Sequence, residues 1–384
     1  MRRLFVTLIA GACCALGPAP AMAQNSGNGP GFVYTETQNP AGNQIVVYKR
    51  AADGTITEQS RVATGGNGAP ATPPFGFPIV DSQGSVELAD GGSLLFAVNA
   101  GDNTISAFKV HGNGGLTLVD REPSGGVLPV SIDTDHHLLY VVNSLSGNIS
   151  GFRFTGGGDL RPIPGSSEPL SAPGGSGVPA QIGFAPGGRV LTVTLRGTQT
   201  IDTFTLGRDD TPGPAQPNPA TDENPFGFEY RRDGLLVASN AGHAGDPADP
   251  ANFHGAASTY ALGGNATLTP VDSIDVGQRA TCWVVLTNDQ RYAFMTNTLS
   301  QSVSRFSIAR DGSLTLLGHT PTGPGFASDE ALSANSRFLY VLLPSILGGT
   351  SHIDYYRVGS GGSLTQIGAT PSNLPPGASG LAAR

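Results

Sequence analysis

An all-β architecture is predicted for this chain by three observations. Its 55 glycines and 30 prolines fall between short runs rich in Val, Ile, Tyr and Phe, which marks many tight turns instead of disorder. No stretch of about 15 residues carries the apolar period of an amphipathic helix. One short strand recurs seven times, an aliphatic residue followed three positions later by an aromatic. The pairs are Ile45/Tyr48, Ile105/Phe108, Ile149/Phe152, Ile201/Phe204, Ala257/Tyr260, Val303/Phe306 and Ile353/Tyr356, standing 44 to 60 residues apart. A period of that length denotes stacked repeats.

Residues 128–154 show the repeat most clearly. Val130–Asp133 reads as a strand, Thr134–His137 as a polar turn, Leu138–Val142 as a strand buried on both faces, and Asn148–Phe154 as the next strand. Apolar runs of the Leu-Leu-Tyr-Val-Val type precede every aliphatic–aromatic strand: FVYTE, LLFAVN, LLYVVN, VLTVTL, LLVASN, YAFMTN and FLYVLL. Glycine turns and Leu-Thr strands follow most of them, as at Gly115–Leu118, Gly312–Thr315 and Gly362–Thr365. Four short antiparallel strands per repeat, arranged radially, make a blade, so seven copies predict a seven-bladed β-propeller. Stacked blades cover both sheet faces, which explains why the second strand is apolar throughout.

The ends of the chain predict how the ring closes. The first repeat opens at Gly31-Phe32-Val33-Tyr34, already second-strand sequence, and the chain finishes in a short strand, Ala378–Arg384, without a repeat of its own. The C-terminal strand is therefore expected to complete the first blade and remove the exposed sheet edge. Residues 24–384 form one domain on this reading. Residues 1–23 read as a cleaved signal peptide, with basic Arg2-Arg3, an apolar run from Leu4 to Leu16, and Ala21-Met22-Ala23 before the cut. That run is too short to span a bilayer, so a periplasmic or secreted protein without stable membrane insertion is expected. Loss of Arg2 and Arg3 takes the 21 basic residues to 19 against 29 acidic ones, a net charge of −10. This balance argues against a nucleic-acid surface. Cys282 is the only cysteine beyond the signal segment, so an intrachain disulfide is excluded.

Leu-Leu-Tyr-Val-Val-Asn at 138–143, Gly-Asn-Ile-Ser-Gly-Phe at 147–152 and the terminal Gly-Leu-Ala-Ala-Arg together resemble the lactonase family of seven-bladed propellers. That family includes 6-phosphogluconolactonases and 3-carboxymuconate cyclases. The resemblance covers 31–384 and implies an enzyme that hydrolyses or cyclises a small carboxylated lactone. It also implies a His-containing or Pro-Arg-His segment ahead of inner strands, serving as acid/base and carboxylate clamp. Here the corresponding segments read Val178-Pro179-Ala180-Gln181, Asn224-Pro225-Phe226-Gly227 and Ala280-Thr281-Cys282-Trp283, without His or Arg. A non-catalytic propeller binding a small ligand or a protein partner is therefore carried beside the enzyme.

Candidate residues are sought at the channel mouth where loops leading into inner strands meet those joining second to third strands. Arg196 is the candidate carboxylate clamp there, with Gln181 and Glu36 as further substrate-binding candidates. Asp329, Glu330 and His243 are the candidates for moving a proton. His243 belongs to an irregular insertion, 241–256, read as a lid or partner loop. The insertion also holds Asp246, Asp249 and His254, but its Pro-rich spacing defines no ligand geometry, so no metal is assigned. No cofactor is assigned either, a single Trp being unlike the Trp-rich repeats of quinone-dependent propellers. Thr211–Pro219 reads as a stiff linker between blades, Asn99, Asn143 and Asn297 as turn-formers. His136-His137 reads as an exposed turn on the side away from the mouth, and Cys282-Trp283 as a buried thiol beside a core indole.

Overall fold

A computed structural model describes residues 29, 31–69, 71–72, 77–78, 80–242, 254–345 and 350–384. Seven antiparallel sheets follow one another around a central channel, each running from an inner to an outer strand. Inner strands are Ser379–Ala383 in blade 1, Val86–Ala89 in blade 2, Pro129–Asp135 in blade 3 and Pro179–Phe184 in blade 4. Pro225–Tyr230, Thr281–Leu286 and Glu330–Leu332 serve blades 5, 6 and 7. All seven aliphatic–aromatic pairs lie on third strands, and all seven apolar runs form second strands. The second strands are the core: Leu94–Asn99, Leu235–Asn240 and Phe338–Leu343 are buried along their whole length because a neighbouring blade packs on each face.

The ring closes as expected. Ser379–Ala383 pairs antiparallel with Gly31–Glu36. The Arg384 amide and carbonyl exchange hydrogen bonds with Phe32 at 2.9 and 3.0 Å. The Arg384 guanidinium lies 5.3 Å from the centre of the Phe32 ring and donates to the carbonyls of Gly92 and His111 in blade 2. The tail thus joins blades 1 and 2 as well as completing one of them.

A recurrent turn starts the inner strands. Leu128, Val178, Asn224 and Ala280 all sit at positive φ, between 44° and 63°, immediately before blades 3 to 6. Each carbonyl accepts the amide of the residue just past the second strand: Ser144, Arg196, Ala241 and Thr298. Left-handed backbone is costly for side chains other than Asn, so this bond is what holds the turn in place.

Two expectations are corrected. Thr211–Pro219 is not a linker, because Gln216–Pro219 is the outer strand of blade 4, paired with Thr200–Thr203. Prolines are tolerated on that free edge, where a missing N–H breaks no ladder bond. Asn99, Asn143 and Asn297 end second strands and are fully buried. Asn99 and Asn297 donate to Ser or Thr hydroxyls on the third strand, at Ser106 and Ser304 among others, and so clamp strands instead of forming turns. The signal segment 1–23 lies outside the described residues.

Closure predicts a stability effect. Leu381→Ala should lower the free energy of urea unfolding by about 2–4 kcal/mol, as for other buried leucines. A cost near zero would mean that the tail does not belong to the ring.

Candidate functional site

Residues 64–85 connect the outer strand of blade 1 to the inner strand of blade 2, and their last part crosses the channel. Ser82 Oγ donates to the Val130 carbonyl of blade 3 at 2.6 Å, and the Gln83 amide donates to Ala180 of blade 4 at 3.0 Å. Gln83 then reaches blade 6. Its Nε2 donates to the Val284 carbonyl at 2.7 Å, and its Oε1 accepts the Val284 amide at 3.1 Å. Trp283 Nε1 donates to the Ser82 carbonyl at 3.1 Å. Such close passage requires Gly227, where a Cβ would collide with Gln83 Oε1 and with the Cys282 carbonyl 2.7 Å away.

This plug closes the mouth at which the candidates were sought. Arg196 lies there, held by Asp81 of the plug at 2.6 Å and stacked 4.9 Å from the Phe226 ring centre. It ties the plug to blade 4 and does not line the channel cavity. Gln181 borders the cavity, but both ends of its amide bond the Phe228 backbone, at 2.9 and 2.6 Å. Glu36 is fully buried behind blade 1, where Gln38, Asn43 and Ser379 donate to its carboxyl. His243 lies outside the described residues. Cys282 is buried against Phe226 and Trp283, and burial pushes its thiol up to about 12, which removes it as a nucleophile.

A cavity of about 410 Å³ remains below the plug. Gln83 and Gly84 form its ceiling, and Phe184, Tyr230, Asn288 and Ala334 stand at its rim. It therefore opens on the face carrying the turns between first and second strands. That is the side of His136 and His137, which are exposed as expected, with His136 paired to Asp135 at 2.9 Å. Asp329 and Glu330 both line the cavity, 3% and 2% exposed, so the structure brings these two candidates together and separates them from Arg196.

Three acidic residues missed by the sequence reading join them. Glu87, Asp133 and Glu229 pair with Phe96, Tyr140 and Val237, the third residue of the second strand in blades 2, 3 and 5. They stand at one height in the channel, and Gly183, Val285, Ala331 and Ala383 occupy the same register in the other blades. All seven line the cavity. A carboxylate inside an otherwise apolar inner strand, as in Val-Glu-Leu or Phe-Glu-Tyr, was the available signal. It becomes a pattern only when inner strands are aligned through their second-strand partners.

Electrostatics follow from the enclosure. Among the described lining residues none is Lys, Arg or His. Burial, with the Asp133 charge added, pushes Glu229 up to about 8. Burial raises Asp133 to about 7 against the amides of Phe184 and Thr134, which hydrogen-bond it and pull the other way. Glu87 is held well above the carboxylate range by burial and then by the charges of Asp133, Glu229 and Asp329. Burial raises Asp329 and Glu330 in the same sense. No set of three or more His, Cys, Asp or Glu among the described residues is arranged to hold a metal ion.

A family model described as lactonase, seven-bladed β-propeller, matches residues 32–167. Among curated proteins nothing matches. A Bacteroides fragilis protein provisionally named a 6-phosphogluconolactonase superposes at TM-score 0.69, with 17% identity over 95% of this chain and 100% of its own. The periplasmic gluconolactonase of Pseudomonas aeruginosa superposes at TM-score 0.71, with 16% identity over 91% of this chain and 98% of its own. The chain is lactonase-like, and its likeness to the solved structures lies in the fold. No described helix is long and apolar enough to cross a membrane.

Raised carboxyls make stability depend on pH with a defined sign. The folded state keeps protons on Glu36, Asp133 and Glu229, at about 8, 7 and 8, that the unfolded chain releases near pH 4. Their contribution is full below the unfolded value and is lost as pH rises through 7 to 8. The exposed carboxylates with lowered values, such as Asp53 and Asp311, act only at lower pH. Melting temperature should therefore fall between about pH 5 and pH 8, and Glu229→Gln should flatten the fall. Calorimetry showing a rise over that range would contradict the burial of these groups.

Proposed function

We propose that the protein is an exported lactonase-like hydrolase that opens a small lactone inside the central cavity. One observation carries this reading: carboxyl groups from four blades wall a cavity of about 410 Å³, within the size range of small-molecule sites, and burial raises them above the ordinary carboxylate range. Asp133 and Glu229 flank Gly183 at one height and have values near 7 and 8, which suits one as base and the other as acid. Asp133 as carboxylate takes a proton from water as its oxygen bonds to the lactone carbonyl carbon. Glu229 as acid protonates the ring oxygen as the ester C–O bond breaks. The product is a hydroxy acid. Asp329 and Glu330 extend the acidic wall around the same space.

Charge chooses the direction and narrows the substrate. A neutral lactone needs no counter-charge to enter, whereas the carboxylate that hydrolysis creates finds no cation in the wall to hold it and leaves. Cyclisation would need an acid to bind where no cation lines the cavity, and the same objection applies to a lactone already carrying a carboxylate. An uncharged ring such as gluconolactone, named for the Pseudomonas aeruginosa neighbour, fits the wall better. Export draws support from the basic and apolar pattern of residues 1–23 and from the periplasmic naming of that neighbour.

A binder without turnover is the second reading, favoured by the absence of His and Arg from 178–181, 224–227 and 280–283. Hydrolysis of δ-gluconolactone followed by pH-stat decides between them. Asp133→Asn and Glu229→Gln should each lower kcat by about 10²–10⁴-fold with the fold retained. Wild-type rates no higher than buffer on every lactone tried would leave the binder standing.

A further inference from the structure

One residue nearer the open mouth than Glu87, Asp133 and Glu229, the cavity changes character. Leu88, Phe184, Tyr230, Leu286 and Leu332 pair there with Leu95, Leu191, Leu236, Ala293 and Leu339, the second residue of each second strand. All five line the cavity and are half-buried. Thr134 and Arg384 complete that height, and neither borders the cavity. Arg384 is turned away to Phe32 and to the Gly92 carbonyl. Each of the five packs on the core between its own blade and the one before, and leaves part of its surface open to the cavity. Tyr230 belongs with them, because its hydroxyl is engaged by Thr192 at 2.7 Å and its ring is what it offers. An apolar collar therefore lies between the acids and the polar rim at Asn288 and Ser333. Water held beside such side chains makes few hydrogen bonds, so an apolar group that displaces it gains free energy.

We propose that the collar selects lactones carrying a short alkyl chain. The ring lies at the level of Asp133 and Glu229, and the chain passes Leu88, Phe184, Tyr230, Leu286 and Leu332 towards the mouth. The proposal rests on the hydrolase reading for the chemistry, and sets the preference among uncharged rings. Gluconolactone meets the charge requirement, but its hydroxyl groups would lie against side chains that return no hydrogen bond. An alkyl chain carries no such cost. One residue of strand rise, about 3.3 Å, separates the two levels, so a chain of a few carbons reaches from the ring past the collar. Hydrolysis then leaves a hydroxy acid whose chain already points at the mouth.

Matched lactams, with an amide in place of the ester and resistant to hydrolysis, test this by titration calorimetry: δ-valerolactam, its 6-pentyl derivative and δ-gluconolactam. The pentyl compound should bind about tenfold or more tightly than the bare ring, with a negative heat-capacity change. It should also bind more tightly than gluconolactam. Leu286→Gln should cut the advantage over the bare ring by about threefold or more. Leu88→Gln, on another blade, tests the same point where Leu286→Gln does not fold. In pH-stat hydrolysis δ-decalactone should exceed δ-valerolactone in kcat/KM by a similar factor, with the gain in KM. Equal binding of the three lactams, tighter binding of gluconolactam, or no heat from the pentyl compound would each overturn the proposal. So would an advantage left intact by both variants. Binding is read without turnover, so the two readings fail separately. Pentyl lactam bound with no lactone hydrolysed sinks the hydrolase alone, whereas faster hydrolysis of δ-gluconolactone than of δ-decalactone sinks the alkyl preference alone.

Discussion

Five carboxyl groups border one cavity with no basic side chain among the described residues that line it, and much of this molecule follows from that constraint. Inner strands sit between neighbouring blades and around a narrow cavity, so a carboxylate placed there loses much of its water and gains like-charged neighbours. The resulting energy is relieved by protonation, by backbone amides of the next blade, or by a ligand. Asp133 and Asp329 show the second solution, accepting the amides of Phe184 and Leu381 and so binding blade 3 to blade 4 and blade 7 to blade 1. The same groups that strain the channel therefore also knit its inner wall.

The plug gives this wall a direction. Without residues 80–85 the channel would run through the molecule. With them it is a cup, sealed by the two-way amide contact between Gln83 and Val284 across the ring. Arg196 and Trp283 serve the seal, which leaves the acidic end as the accessible one. A propeller of this shape offers its chemistry on the face of the first-to-second strand turns. The charges that could have balanced an anionic substrate are tied up on the far side of the plug.

Local pattern made most of the fold legible. Every third strand was marked by its aliphatic–aromatic pair, every second strand by its apolar run, and the closing tail by the missing inner strand at Gly31. Each of these signals lies within a few residues of chain. Gln216–Pro219 escaped because proline normally argues against a strand, and only its edge position lifts that objection. Asp329 and Glu330 were legible as paired acids at an inner-strand start. Glu87, Asp133 and Glu229 were not, because their shared height depends on register between strands and not on spacing along the chain. The plug escaped for a similar reason: Gln83 and Val284 are 201 residues apart, and nothing in Asp81–Gly84 marks a partner so distant.

The claim on which the account stands is that enclosure holds these acids partly protonated at neutral pH. Carbon-13 NMR titration of the side-chain carboxyls, with Glu229→Gln and Asp133→Asn used for assignment, measures it directly. The account predicts resonances for Asp133 and Glu229 that titrate near 7 and 8, shifted from the ordinary range near 4. Titration of both below about pH 5 would contradict it, since the acids would then be ionised and solvated, and the cavity would be an ordinary wet channel.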